Sequence, residues 1–178
     1  MSVAPPTYGA SSGSAPATAV RVAAIGDGLV RVQDLAPTDD LERGSVLDVV
    51  SYDLFVDLAG GGETFTSRSE VRFRCLRAGA GAWADLQAAA IRRAMLNGGD
   101  LDITSSSRPG VLELPRLAGQ NTLVVAAEFG YNPAGAGVHQ VAGPGGLACV
   151  YSKAYPGEAP RFCCCFDQED LRARSRSR

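Results

Sequence analysis

The sequence predicts an all-β fold, an antiparallel sandwich or saddle-like pair of sheets behind a disordered N-terminal leader, and three observations carry that expectation. Apolar and polar residues alternate with a period of two through most of Val46–Cys75. Short apolar stretches then recur at intervals of about ten residues, separated by Gly, Pro and Asn. The first 19 residues, MSVAPPTYGASSGSAPATA, hold no periodic apolar face that could repay the entropy of ordering them.

The 178 residues suit one domain with one sizeable core, and exclude two domains with linkers. A net charge of -2 argues against a nucleic acid or an anionic membrane held by the body of the protein. The basic tail 174–178, with Arg172 just before it, reads as a solvated terminus. The five cysteines are odd in number, and no secretory signal precedes them, so a reducing cytoplasm is expected. No apolar run approaches the roughly 18 to 20 residues that span a bilayer. The leader lacks acidic residues, as a transit peptide would, yet has no arginine before Arg21.

Residues 20–45 admit short strands or a helix. Gly26-Asp27-Gly28 reads as a turn, Leu29 to Leu35 as a possible strand, and Thr38 to Glu42 as a short capped helix. From residue 46 the pattern is clearer. Val50, Tyr52, Leu54, Val56 and Leu58 mark one strand face, Gly60-Gly61-Gly62 reverses the chain, and Phe65, Val71, Phe73 and Cys75 mark the dry face of the return strand. Thr66, Arg68, Glu70, Arg72 and Arg74 take its wet face. Trp83-Ala84-Asp85-Leu86 is a short strand. Ala88 to Leu96 is helical by propensity, but the Asn97-Gly98 hairpin signal after it favours a strand. Gly110 to Pro115 and Asn121 to Tyr131 complete the set, the latter apolar enough for burial on both faces.

The stretch Leu147–Ala173, LACVYSKAYPGEAPRFCCCFDQEDLRA, reads as a buried two-strand unit: an alternating strand, a Pro156-Gly157 turn, and a second apolar strand from Phe162 to Phe166 ending at Asp167. Cys163, Cys164 and Cys165 invite a metal, with Cys149 and His139 as further ligands. Neighbours on a strand face opposite ways, however, so only Cys163 and Cys165 could share one ion, and buried apolar thiols are expected instead. His139 stands without a nucleophile or a carboxylate beside it, and reads as a loop or core histidine. Asp53, Asp57, Asp85 and Asp102 read as solubilising groups on wet faces or turns.

This stretch resembles the signature of the aminopeptidase N family of zinc metallopeptidases, the gluzincins. There an aromatic strand leads to Gln-x-Glu-Pro, then an Arg, then Cys-Phe-Asp-Gln-Pro-Asp-Leu-Lys-Ala. Tyr151, Pro156, Ala159, Arg161, Cys165, Phe166, Asp167, Gln168, Asp170, Leu171 and Ala173 carry the match. The Ser51-Tyr52-Asp53 strand, Trp83-x-Asp85-Leu86 and the turn before His139 resemble further pieces, so the likeness runs over residues 46–173. It implies an N-terminal β domain, incomplete at its C-terminal end and open at one edge.

The resemblance also implies what the complete enzymes use. Zinc on His-Glu-x-x-His and a distant Glu hydrolyses the peptide, while the signature Gln and Glu grip the substrate's free amine. This chain has one histidine, so a two-histidine zinc site cannot be built from it, and no catalytic residue, metal ligand or cofactor is assigned. The two amine-gripping positions fall on Lys153 and Tyr155, the first a cation that repels an ammonium. Glu158 is expected to face solvent, three residues out of place. Pro160 stands at a usual Arg, and Glu169 at a usual Pro. The implied function is a non-catalytic N-terminal domain of a zinc aminopeptidase-like protein, with a peptide or a catalytic relative as partner. The alternative is a stand-alone β-sandwich that binds another protein.

Overall fold

The computed structural model describes residues 37–60, 62–133, 135–143 and 148–177. The leader and the strands expected before Pro37 lie outside these residues. The helix expected from Thr38 extends further, as α1 (Pro37–Val46). Proline suits its first position, where an N–H would have no partner in the helix.

The hairpin forms as expected, from β1 (Leu47–Asp57) and β2 (Thr64–Cys75). On β2 the buried residues alternate without a break, and Ser67 and Ser69 join the dry face. On β1 the register slips between Val49 and Ser51. Such a bulge shifts the alternation by one residue, so Leu47 and Val49 point into the core before it and Tyr52 and Val56 after it. Val50, expected on the dry face, is instead 43% exposed.

β3 (Ala82–Leu86), β4 (Ala90–Leu96) and the two-residue β5 (Gly99–Asp100) follow. The strand prevails over helix propensity at β4 because its backbone is paired to a central neighbour and Ala94 is buried in the core. Asn97 and Gly98 both take positive φ, 54° and 83°, the pair that a two-residue hairpin turn requires. The short α2 (Ile103–Ser106), β6 (Ser107–Arg108), β7 (Gly110–Leu114) and β8 (Gln120–Gly130) come next, then β9 (Gly137–Ala142), β10 (Ala148–Lys153) and β11 (Arg174–Ser177).

Among the described residues, six strands make one sheet in the order β11-β1-β2-β8-β4-β5, three make a second in the order β3-β7-β6, and β9 and β10 pair with each other alone. All pairings are antiparallel except β11 with β1. The dry face of β2 and β8 (Val71, Phe73, Leu123, Val125, Phe129) packs in one cluster with Leu112, Leu114, Ala84 and Leu86 of the smaller sheet. β8 is therefore buried on one face only, correcting the expectation of two: its other residues are half-buried because the second sheet covers a single side.

Two further expectations are corrected. Residues 162–166 are not a strand. Pro160 sits in a 3₁₀ turn (Ala159–Arg161), and only Cys165 makes a β-bridge, to Asp85. Proline fits the φ of such a turn and has no N–H for a ladder. The preceding strand, β10, is largely exposed rather than buried. The basic tail, read as solvated, forms β11 alongside Ser51–Leu54 of β1. Its side chains stay exposed, but its backbone occupies hydrogen-bonding groups that β1 would otherwise leave open.

Deleting residues 174–178 should uncover that edge and raise concentration-dependent self-association in analytical ultracentrifugation. A variant that sediments like the full chain would show that β11 gives no such protection.

Candidate functional site in the signature segment

The signature segment has two halves of opposite character. The second, from Cys163 to Gln168, is clamped to three separate elements by hydrogen bonds to its backbone. The Cys164 N–H donates to Ser69 Oγ of β2 (2.9 Å), the Phe166 N–H to the Tyr52 hydroxyl of β1 (2.9 Å), and the Asp167 N–H to Asp85 Oδ2 of β3 (2.8 Å). Asp85 and Cys165 exchange backbone bonds of 2.7 and 3.1 Å. Phe166 packs edge-on to Phe73, with ring centroids 5.1 Å apart.

Asp85 is the hub of this clamp. Its Oδ2 also accepts from Arg43 Nη1 of α1 at 2.9 Å, and Arg43 Nε donates to Gln168 Oε1 at 2.8 Å. The guanidinium lies 5.0 Å from the Trp83 ring centroid, and the Arg43 and Asp85 side chains are 1% and 10% exposed. A side chain at Gly44 would meet the ends of the Asp170 and Gln168 side chains, which would have to move aside. The expectation that Asp85 lies on a wet face is thus wrong. β3 turns it inward, where Arg43 makes its burial possible.

Burial sets the protonation of this half. It raises the Asp85 carboxyl above the ordinary carboxylate value, and the Arg43 charge only partly opposes this. Asp167 is raised by burial too, against the pull of the Gly157 and Ala159 amides. Burial likewise raises the Tyr52 phenol and the Cys164 thiol, while contact with Cys163, then burial, raises Cys165. Cys163, Cys164 and Cys165 are 3%, 1% and 5% exposed, the buried thiols that were expected, whereas Cys149 is exposed.

The first half, from Lys153 to Arg161, lies at the surface. Glu158 N–H donates to the Tyr155 carbonyl (3.1 Å) across Pro156-Gly157, with Gly157 at φ 88°, as proline followed by glycine in a tight turn requires. This turn sets Tyr155 back beneath Lys153, whose Nζ lies 5.0 Å from the ring centroid. The contact with Tyr155 raises the pKa of Lys153, which stays cationic. Glu158 does not face solvent as expected. Its side chain is 12% exposed, with Oε2 at 3.8 Å from Arg161 Nε. Arg161 lines a cleft of about 210 Å³ with Gln87, Asn132 and Gly137.

The other candidates stand apart. His139 on β9 is a core residue, 3% exposed and stacked on Tyr151 at 4.8 Å. Asp102 caps α2 through the Thr104 N–H (3.0 Å), Asp57 accepts from Ala59 N–H (2.9 Å), and Asp53 lies half-buried on β1. Among the described residues no three His, Cys, Asp or Glu side chains group to hold a metal. With the single histidine buried against a tyrosine, the donor set among the described residues does not fit a catalytic zinc. Among these residues no helix is long and apolar enough to cross a membrane.

No protein-family model matches the chain. It is similar to the aminopeptidase N of Streptomyces lividans, 33% identical over 136 residues, which are 74% of this chain and 16% of that protein, in its N-terminal part. Aminopeptidase A of Legionella pneumophila, solved with aspartic acid, superposes with a TM-score of 0.62 at 15% identity, over 83% of this chain and 17% of that one. Yeast LTA4 hydrolase with bestatin gives 0.59 at 12% identity, over 81% and 27%. An M1 zinc metallopeptidase of Deinococcus radiodurans gives 0.55 at 18% identity, over 74% and 32%. The fold is that of the N-terminal β domain of the M1 metallopeptidases. Through its sequence match the chain belongs, within that class, to the aminopeptidase N family, of whose S. lividans member it spans 16%.

Removing one partner of the buried pair, by Arg43→Ala or Asp85→Ala, should cost about 3 to 5 kcal/mol in a denaturant melt at neutral pH. The double variant Arg43→Met/Asp85→Leu should recover most of that loss. Additive losses in the double variant would show that the pair is not one unit. The pH dependence has a defined sign. Because Asp85 holds its proton more tightly folded than unfolded, its contribution is complete below the ordinary value of about 4 and is lost as pH rises through its raised pKa. The stability advantage of the protein over Asp85→Asn should therefore shrink from pH 3 to pH 6, and an advantage growing over that window would contradict the assignment.

Proposed function

We propose that this chain acts as a non-catalytic β domain of the aminopeptidase N type, with the signature segment kept as a structural unit and its amine grip abolished. One observation carries this reading. The positions that the resemblance assigns to the grip hold Lys153 and Tyr155, and a cation stands over an aromatic ring where an amide and a carboxylate would meet the substrate's ammonium. Like charge at that point disfavours a free amino end. Glu158 does not restore the grip, since its carboxylate is turned in toward Arg161. The chain's single histidine, buried against Tyr151, supports the same reading.

A second reading, a protein-binding module, draws on the β9–β10 ribbon. It belongs to neither sheet, and leaves Val141 and Tyr151 45% and 51% exposed. Exposed apolar groups side by side on one ribbon suit a partner surface. The free state of all five thiols agrees with a reducing compartment in either case.

The purified chain should not hydrolyse an amino-acid amide, with or without added zinc, and should melt cooperatively. Zinc-dependent turnover would overturn the non-catalytic reading. A cooperative melt with a defined complex from equimolar mixing with an aminopeptidase N catalytic domain would favour the binding module.

A further inference from the structure

Gly137 has a basic residue on the paired strand and the stem of another packed against it. Lys153 is its cross-strand partner in the β9–β10 ladder. The stem of Arg161 lies on its other side, with Cδ and Cβ at 3.5 and 3.6 Å from the place a Cβ would take. Gly137 has φ 106°, which a residue with a side chain rarely adopts, so the gap is built into the backbone. Arg161 and Gly137 both line the cleft of about 210 Å³.

Arg161 is the cation that lines the cleft among the described residues. Glu158 acts on both cations, and its Oε2 is 3.8 Å from Arg161 Nε, an ion pair beyond hydrogen-bond length, while the Asp167 carboxylate is held by the Gly157 and Ala159 amides. The Arg161 side chain is 45% exposed. A guanidinium in this state presents a fork of N–H donors that fits the two oxygens of a carboxylate. The cleft is smaller than the roughly 300 to 1,000 Å³ of pockets that enclose a whole ligand, and so suits a terminus or one side chain.

We propose that this cleft binds a carboxylate of a peptide, seated over Gly137 against Arg161, with Lys153 of the neighbouring strand adding its charge from outside the cleft. Only the choice of a peptide as carrier rests on the reading given under Proposed function. The selectivity is the reverse of an amine grip: the site takes an anionic end and turns away an ammonium.

The test is a titration of the full chain followed by amide chemical shifts. N-acetyl-alanyl-alanine supplies a terminal carboxylate, N-acetyl-aspartyl amide a side-chain carboxylate, and alanine amide an ammonium alone. Shifts at Gly137 and Arg161 from either carboxylate, and none from alanine amide, are expected, and the tighter of the two names the source. Arg161→Gln should weaken binding about tenfold, and the more exposed Lys153→Gln about threefold, with amide dispersion showing both variants folded. Silence from both carboxylates, equal shifts from alanine amide, or unchanged affinity in folded Arg161→Gln would each overturn the proposal. Hydrolysis is read separately. Turnover of an amino-acid amide would end the non-catalytic reading and leave carboxylate binding standing, while failure to bind carboxylates would do the opposite.

Discussion

The buried pair of Arg43 and Asp85 is the constraint on which the arrangement depends. Asp85 Oδ2 receives the Arg43 guanidinium and the Asp167 amide at once, so helix α1, strand β3 and the signature segment meet at one oxygen. The net stabilisation from such a pair is small, because desolvation consumes most of the Coulomb attraction, and the raised Asp85 carboxyl reports that balance. The pair instead fixes register. A carboxylate and a guanidinium that cannot be left unpaired in the core permit one placement of α1 and one of the segment from Cys163 to Gln168.

From that anchor the rest of the segment follows. Ser69 and Tyr52 hold the amides on either side of Cys165, and three consecutive cysteines fill the space beneath as small apolar groups. The same anchor holds the 3₁₀ turn at Pro160, whose carbonyl accepts from Gln87 N–H at 2.7 Å. The turn in turn places the Arg161 stem against Gly137. A unit anchored in the core thus supports the exposed turn that carries Lys153 and Tyr155, and the two halves of the segment are held in different ways. The buried half tolerates little substitution, because its backbone donors are all engaged. The exposed half is bound mainly through one turn, so the side chains of Lys153 and Tyr155 lie outside the packed core.

Local pattern was enough for much of this protein. The period-two alternation of β2, the Asn97-Gly98 turn and the short strands between glycines specify the sheets, because each depends on neighbours in sequence and on the geometry of the strand. The side-chain types at Lys153 and Tyr155, and the single histidine, likewise bound the chemistry before any coordinates are known.

Tertiary structure decided what depends on distant partners. Whether Asp85 is wet or buried turns on Arg43, 42 residues away, and no local signal marks that pairing. Residues 162–166 have the composition of a strand, yet the hydrogen bonds from Ser69, Tyr52 and Asp85 and the turn at Pro160 draw them out of a ladder. The arginine-rich end reads as solvent-borne until the open edge of β1 takes up its backbone, and Val50 reads as core until a bulge turns it outward. The placing of Lys153 opposite Gly137 and of the Arg161 stem against it belongs to the same class. Sequence supplies the charges, and only the pairing of β9 with β10 and the turn at Pro160 put them there.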